Sequence, residues 1–232
     1  MNIIVTGASK GIGREVVKHL SRNPEHKIFA IARNRQLLET LKEDCEFPDQ
    51  VFLFDFDLSQ KTYSKEFYEA IRKTESIDVL INNAGTLINK PFMELTEDDW
   101  KSVFEVNLFS TVKLTQFLIP QLKKSKQAHI VNIGSMGGVE NSAKFAGLSA
   151  YSATKAALAN LTQCLAEELK EDYIHCNCLA LGAVNTAMLQ QAFPGYQANT
   201  SPQEMAAYIA DFATTQGKFM NGKIIHVSNS TP

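Results

Sequence analysis

The sequence carries almost no excess charge of either sign, few cysteines and no long hydrophobic run. Its 23 basic and 25 acidic residues leave a formal net charge of −2 at pH 7. Nothing in that balance marks a surface for nucleic acid or for an anionic membrane. No apolar stretch approaches the ~18 residues that a bilayer-spanning helix needs. The opening residues, Met1-Asn2-Ile3-Ile4-Val5-Thr6-Gly7, run straight into an apolar strand and lack the basic start and small-residue cleavage site of a signal peptide. The expectation is a cytoplasmic protein with no membrane or nucleic-acid partner.

The four cysteines are Cys45, Cys164, Cys176 and Cys178. Cys176 and Cys178 form a C-x-C pair, so strand alternation puts both on one face and the adjacent His175 on the other. A zinc site needs more thiolates or imidazoles in register. Free thiols are therefore expected, in a reducing compartment, with no metal site.

What is present is a regular alternation of apolar runs and helical spacing. Residues 2–6, 27–32, 51–56, 78–82, 128–134, 174–180 and 222–227 read as short strands, mostly continuous in hydrophobicity. Such runs suit strands covered on both faces. Segments 11–22, 35–46, 60–75, 97–124, 151–171 and 202–215 read as helices between them. Pro24, Pro48, Pro91, Pro120, Pro194 and Pro202 fall in or near the connections. With 232 residues, 44% of them hydrophobic, and no linker, repeat or low-complexity tract, the chain reads as one domain. The predicted fold is α/β and Rossmann-like: a doubly wound parallel sheet of about seven strands with helices on both faces.

The first strand ends in Thr6-Gly7-Ala8-Ser9-Lys10-Gly11-Ile12-Gly13 and a helix follows at once. Gly7 permits the sharp turn, Gly11 lets the backbone approach a pyrophosphate, and Gly13 lets helix pack on strand. The helix N-terminus offers unpaired N–H groups and partial positive charge to the phosphates. Glycines also serve turns that bind nothing, but the position after the first strand of a β/α chain favours dinucleotide binding. The spacing lacks the Lys-Ser/Thr pair of a nucleotide-hydrolysing loop.

The second strand ends Ala30-Ile31-Ala32-Arg33-Asn34-Arg35. NAD sites commonly carry an acidic residue there for the ribose hydroxyls, whereas NADP sites place Arg near the 2′-phosphate. Ala32 holds the acidic position and Arg33 follows, so NADP(H) is favoured over NAD(H), with Lys10 as a second cation. The plainer alternative is that Arg33 and Arg35 form a solvated turn.

Tyr151-Ser152-Ala153-Thr154-Lys155 sets a phenol and an ammonium four residues apart, on one face if the segment is helical. A neighbouring cation favours phenolate and brings tyrosine toward a working pH. A lone pair of this kind is common on helix surfaces. Ser135, after the apolar strand His129-Ile130-Val131-Asn132-Ile133, adds a hydroxyl at the carboxyl end of a parallel strand, where open α/β sheets bind ligands.

Together these motifs resemble the short-chain dehydrogenase/reductase superfamily, over Asn2 to about Val227. The glycine turn, including Thr6, Ser9 and Ile12, matches its cofactor motif. Asp57-Leu58 matches its adenine-contacting dipeptide, and Asn82-Asn83-Ala84-Gly85 the motif closing the fourth strand. Asn107, Ser135, Tyr151 and Lys155 match its catalytic tetrad. The resemblance implies that Tyr151 transfers the proton, Ser135 orients the substrate oxygen, and Lys155 binds the nicotinamide ribose and lowers the tyrosine pKa. Asn107 then shapes its helix for a water relay to Lys155. Further cofactor contacts are implied at Asn34, Asn83, Ala84, Gly85, Gly182, Val184 and Thr186. A small carbonyl or alcohol substrate and a homodimer or homotetramer are also implied.

The sequence departs from the family in three places. Residues 136 to 150 between Ser135 and Tyr151 form a longer substrate-side loop than usual. Leu181-Gly182 stands where Pro-Gly is usual, which is expected to loosen the turn over the nicotinamide. The chain ends Val227-Ser228-Asn229-Ser230-Thr231-Pro232 rather than with a Gly-Gly pair and tail. Segment 187–201 occupies the position of a mobile lid, where Met188, Leu189, Phe193 and Tyr196 either line an apolar pocket or simply pack. The function expected is an NADP(H)-dependent oxidoreductase of a carbonyl or secondary alcohol. The alternatives are a 3-oxoacyl-thioester (acyl carrier protein) reductase and a non-catalytic NADP(H)-sensing protein.

Overall fold

The computed structural model describes residues 1–60 and 62–229. In chain order the strands are β1 (Asn2–Thr6), β2 (Lys27–Ala32), β3 (Val51–Asp55), β4 (Val79–Asn82), β5 (Ala128–Ser135), β6 (Ile174–Leu181) and β7 (Ile224–Val227). The helices are α1 (Gly11–Leu20), α2 (Arg35–Glu43), α3 (Lys65–Lys73), α4 (Glu97–Phe104), α5 (Ser110–Leu122), α6 (Ser149–Glu168), α7 (Ala187–Ala192) and α8 (Pro202–Asp211). All strand pairs are parallel, in the order β3-β2-β1-β4-β5-β6-β7. The chain winds outward from β1 in one direction, then crosses to β4 and winds in the other. A crevice forms at that reversal, outside the carboxyl ends of β1 and β4.

The inner strands of the sheet are buried on both faces, which is why they read as mostly apolar runs. On one face Val5, Ala30 and Ile81 pack against Val16, Leu38 and Ile209 of α1, α2 and α8. On the other, Ile4, Ile31 and Leu80 pack against Phe67, Leu114 and Ala166 of α3, α5 and α6. Phe67, Leu114 and Leu118 are fully buried, each worth roughly 1.5–3 kcal/mol of transfer from water. Helix starts follow side-chain capping: Asn34, Ser64 and Thr186 accept from the N3 amides of α2, α3 and α7. Thr96 with Asp99 and Ser201 with Glu204 form capping boxes on α4 and α8.

Several local expectations are corrected. The predicted helix 97–124 is two α-helices joined by a π-helical turn, Glu105–Phe109, because a one-residue shift of backbone bonding leaves the apolar spacing almost intact. Pro120 lies inside α5, not in a connection. It sits in the last turn, on the exposed side, where its missing N–H costs one bond near a helix end. The expected helix 60–75 is trimmed to α3, and β7 starts two residues late, after Gly222 at φ +70°. The lid segment contains the short helix α7. Of the unusual C-terminus, Ser230, Thr231 and Pro232 lie outside the described residues.

Candidate active site

The glycine turn is built by exclusion. Gly7 and Gly11 adopt φ +67° and +57°, a region in which side chains are strained. A Cβ on Gly13 would lie 2.4 Å from both Gly7 O and Asn83 Nδ2, so helix and strand meet at backbone distance. Above Gly11 a Cβ would meet one heavy atom within 4 Å, Thr186 Cγ2 at 3.8 Å. The turn is therefore closed beneath and open above.

Lys10, the N-cap of α1, makes no side-chain cap bond, and the first turn holds no acidic residue. The leading amides are left to face an anion. A backbone cradle at an uncapped helix start fits the pyrophosphate of a dinucleotide.

Thr6 and Asn83 fasten this turn to β4 across the switch point. Thr6 Oγ1 accepts from the amides of Asn83 and Ala84, each at 2.9 Å. Asn83 Nδ2 donates to Thr6 O at 2.9 Å. At the far side of the cradle, the Arg33 side chain is 75% exposed and reaches Asp57 Oδ2 at 3.9 Å. Arg35 points elsewhere, bonding Glu39 at 2.9 Å and Asp55 at 3.1 Å. Asn34 caps α2 instead of facing the cradle with its acceptor oxygen. Asp57 Oδ1 accepts from Ser59 N at 2.9 Å and Ser59 Oγ at 2.7 Å. Partial burial works against the Asp57 carboxylate, yet the Ser59 bonds and the Arg33 and Lys113 charges outweigh it and hold its pKa below the usual range.

The proton-handling groups stand beside the ends of β4 and β5. Ser135 closes β5 in extended backbone, and its Oγ accepts from Gly137 N at 3.2 Å. Tyr151, in the first turn of α6, stands close enough to the Ser135 hydroxyl to feel it. Lys155 lies one turn on, with Nζ 5.8 Å from the Tyr151 ring centroid. Nζ donates to Ile133 O at 2.7 Å. Burial pushes the ammonium down to about 8. Burial also pushes the Tyr151 phenol up, and the neighbouring Ser135 hydroxyl offsets this only in part. Burial thus leaves the Tyr151 phenol above rather than below its ordinary value.

Asn107 is buried in the middle of the π-helical turn. Its Oδ1 accepts from Thr86 N at 2.7 Å, and its Nδ2 donates to Thr86 O at 2.9 Å and Thr154 Oγ1 at 3.0 Å. Asn107 thereby clips the loop after β4 onto α6. A Cβ on Gly85 would be 3.4 Å from Asn107 Oδ1 and 3.7 Å from Lys155 Nζ, so both polar groups close over that glycine.

Asn107, Ser135, Tyr151 and Lys155 come together, with the glycine turn, at the carboxyl edge of one sheet. Thr86, Thr154 and the Ile133 carbonyl were not singled out from sequence. Thr154 alone carried a signal, its place inside the Tyr-to-Lys spacing. Gly138 is a further addition: a Cβ there would strike Lys155 C and Ala156 N at 2.6 Å, so the long loop lies directly on α6. Gly134 makes room for Cys178, whose Sγ would be 2.6 Å from a Cβ at that position. All four cysteines are free thiols. Cys176 and Cys178 are both buried, and burial raises both thiols, Cys178 to about 11. No cluster of metal-ligating residues occurs among the described residues.

The substrate side is walled by three segments. Asn89 Nδ2 donates to Ala192 O at 2.7 Å, at the end of α7. Phe193 meets Phe145 of the long loop edge-on, ring centroids 5.6 Å apart. Phe193 therefore packs, while Met188 and Tyr196 stay more than a third exposed. At Leu181-Gly182, Leu181 is buried and Gly182 N donates to Val227 O at 3.0 Å, which extends the β6–β7 ladder by one bond. A concavity of about 610 Å³ lies away from all these groups, between α2 and the outer edge of β3 around Phe52.

Comparison with known proteins agrees with this arrangement. The sequence pattern of the short chain dehydrogenase family matches residues 1–197. Nodulation protein G of Rhizobium sp. (strain N33) is 32% identical, over 97% of this chain and 94% of that protein. A solved chain assigned as a short chain dehydrogenase, from Shigella flexneri 2a (strain 301) and complexed with NADP, is 28% identical. It superposes with a TM-score of 0.86 over 97% of this chain and 95% of that one. A 3-ketoacyl-(acyl-carrier-protein) reductase from Brucella melitensis, complexed with NADH, has a TM-score of 0.84 at 22% identity, covering 97% and 96% of the two chains; at that identity the likeness is one of fold. Among the described residues no helix is long and apolar enough to cross a membrane.

Proposed function

The chain belongs to the short chain dehydrogenase family, and on that premise we propose that it is an NADP(H)-dependent oxidoreductase of a carbonyl or secondary alcohol, with Tyr151 as general acid and base. The observation that carries this reading is Tyr151 beside the Ser135 hydroxyl and one helical turn from a desolvated Lys155, next to an open glycine cradle.

When bound, the nicotinamide supplies or accepts the hydride. The chain's own residues hold and move the proton. In the reductive direction the Tyr151 O–H donates to the substrate oxygen, which suits a phenol held above its ordinary pKa. The Ser135 hydroxyl donates a hydrogen bond to the same oxygen and fixes it against Tyr151. In the oxidative direction Tyr151 must give up its proton first, and the Lys155 ammonium favours the resulting phenolate. Asn107 keeps the β4 loop and α6 in register around Lys155.

NADP(H) is favoured over NAD(H) because Ala32 brings no carboxylate to the ribose, while Arg33 is largely exposed and Lys10 has its ammonium in solvent. Asp57 competes for Arg33 at 3.9 Å, a distance at which a phosphate can displace it. The acyl-carrier-protein reading wants a basic mouth. Lys144 gives little of one, since it folds back onto Val139 O and Ser142 Oγ of its own loop. The same proposal extends to a cytoplasmic homodimer or homotetramer acting on a small molecule.

The test is to follow loss of reduced-nicotinamide absorbance over a panel of carbonyl compounds, for wild type and Tyr151→Phe. Turnover is expected to fall by roughly 10²- to 10⁴-fold in the variant. Wild-type rates in Tyr151→Phe would sink the mechanism, and tight NADPH binding without turnover on any compound would point to the sensor.

A further inference from the structure

The adenine-side loop and the turn that carries Asn107 are joined by one side chain that the reaction does not otherwise use. Lys113, on α5, donates from Nζ to Ser59 O at 2.9 Å and to Glu105 Oε1 at 2.6 Å. Ser59 is the residue whose amide and hydroxyl hold Asp57, and Glu105 is the first residue of the π-helical turn around Asn107. Asp57 is the carboxylate that lies against Arg33. One ammonium thus closes a chain from the exposed guanidinium at the cradle, through Asp57 and Ser59, to the turn beneath Lys155.

The loop has a second anchor on the same helix. One turn beyond Lys113, Phe117 packs edge-on against Tyr63 with centroids 5.5 Å apart. The apolar contact holds the far end of the loop, and Lys113 holds its Ser59 carbonyl. Without the lysine, Glu105 keeps an unpaired charge, the Ser59 carbonyl loses its partner, and the loop is free to draw Asp57 away from Arg33.

We propose that Lys113 is a positioning residue for the adenine end of the cofactor, setting Asp57 and Arg33 for the ribose phosphate from the helix that also carries the Asn107 turn. This rests on the NADP(H) reading above. It concerns affinity for the adenine half, so it can be tested without turnover.

The probe is adenosine 2′,5′-bisphosphate, which carries the adenine half and no nicotinamide. Its dissociation constant is measured by calorimetry for wild type, Lys113→Met, Lys113→Arg and Glu105→Gln, with Lys101→Met as a control. Lys101 pairs with Glu97 on the exposed face of α4 and removes the same charge from elsewhere on the surface. Lys113→Met is expected to weaken binding about five- to ten-fold, the scale of one lost charge-assisted bond. Lys113→Arg should recover most of that, Glu105→Gln should fall between, and Lys101→Met should match wild type. Equal affinity in wild type and Lys113→Met overturns this proposal alone, as does an equal loss in Lys101→Met. A wild type that fails to bind the probe overturns the NADP(H) reading and this proposal with it. Should Lys113→Met not fold, the Arg and Gln variants decide: an arginine variant at wild-type affinity with a weakened glutamine variant supports the role, and no change in either overturns it.

Discussion

Strand β5 has a desolvated basic group near each end, and the two are treated in opposite ways. At the carboxyl end Lys155 has one assigned hydrogen bond, to Ile133 O, and sits beside the partly open Tyr151. At the amino end His129 bonds through both ring nitrogens, Nδ1 to Ala213 O at 3.0 Å and Nε2 to Asn177 Nδ2 at 3.0 Å. Its ring also packs on Phe212 at 5.4 Å. Burial lowers both pKa values, Lys155 to about 8 and His129 to about 4. Lys155 keeps its charge at neutral pH and bears the desolvation cost. His129 gives its charge up and becomes a neutral tie between β5, β6 and the turn after α8. A buried basic group is therefore no sign of function by itself; what separates the two is whether its bonding is complete.

The sharpest way to separate them is Lys155→Met. Activity is expected to drop by roughly 10²-fold or more, because phenolate loses its neighbouring cation. The melting temperature should hold or rise, since a buried charge is replaced by an apolar chain of similar length. A variant that loses stability in step with activity would erase the distinction. The mirror experiment, His129→Ala, is expected to cost about 3 kcal/mol in denaturant unfolding by leaving a cavity and unpaired polar groups. Its activity per folded molecule should stay near wild type. A catalytic defect in the folded variant would move His129 into the site.

The pH dependence follows from the same pair. The folded-state pKa of His129 lies below its unfolded value, so the unfolded chain binds the extra proton between about pH 6.5 and 4. Stability is complete above that window and is lost as pH falls through it, by up to roughly 3 kcal/mol. Denaturation midpoints measured across the window should slope for wild type, with the His129→Ala curve flatter. Parallel curves would place the acid sensitivity elsewhere. The smallest effect is expected at the exposed rim of the site. Arg33→Ala should weaken NADPH about ten-fold and NADH much less, as read by fluorescence titration. Equal losses would refute the phosphate contact.

These contrasts also explain what could be read from sequence. Val79–Asn82 and Ile174–Leu181 are legible because strands buried on both faces are mostly apolar, with few polar interruptions. Gly7 and Gly11 are legible because a left-handed backbone favours one residue type, and Gly13 because helix and strand meet there at backbone distance. The π-helical turn at Asn107 was not, since it changes which carbonyl each amide meets while the side chains keep almost the same order. Nor was α7, a helix of six residues with Thr186 as its start signal. The partner of Lys155 is a main-chain oxygen, and Ile133 would offer that oxygen as any other residue. His129 and Lys155 look equally eligible on paper, because satisfaction of a ring nitrogen by Ala213 and Asn177 exists only once three distant segments meet.

The contact between Gly134 and Cys178 has a consequence for how sequences related to this one can change. A side chain at 134 and a sulfur at 178 claim the same space, so the two positions cannot vary independently. A serine grafted at 134 would have to push the Cys178 thiol into another rotamer, so its cost is lodged in the neighbouring strand and should fall when 178 is made alanine.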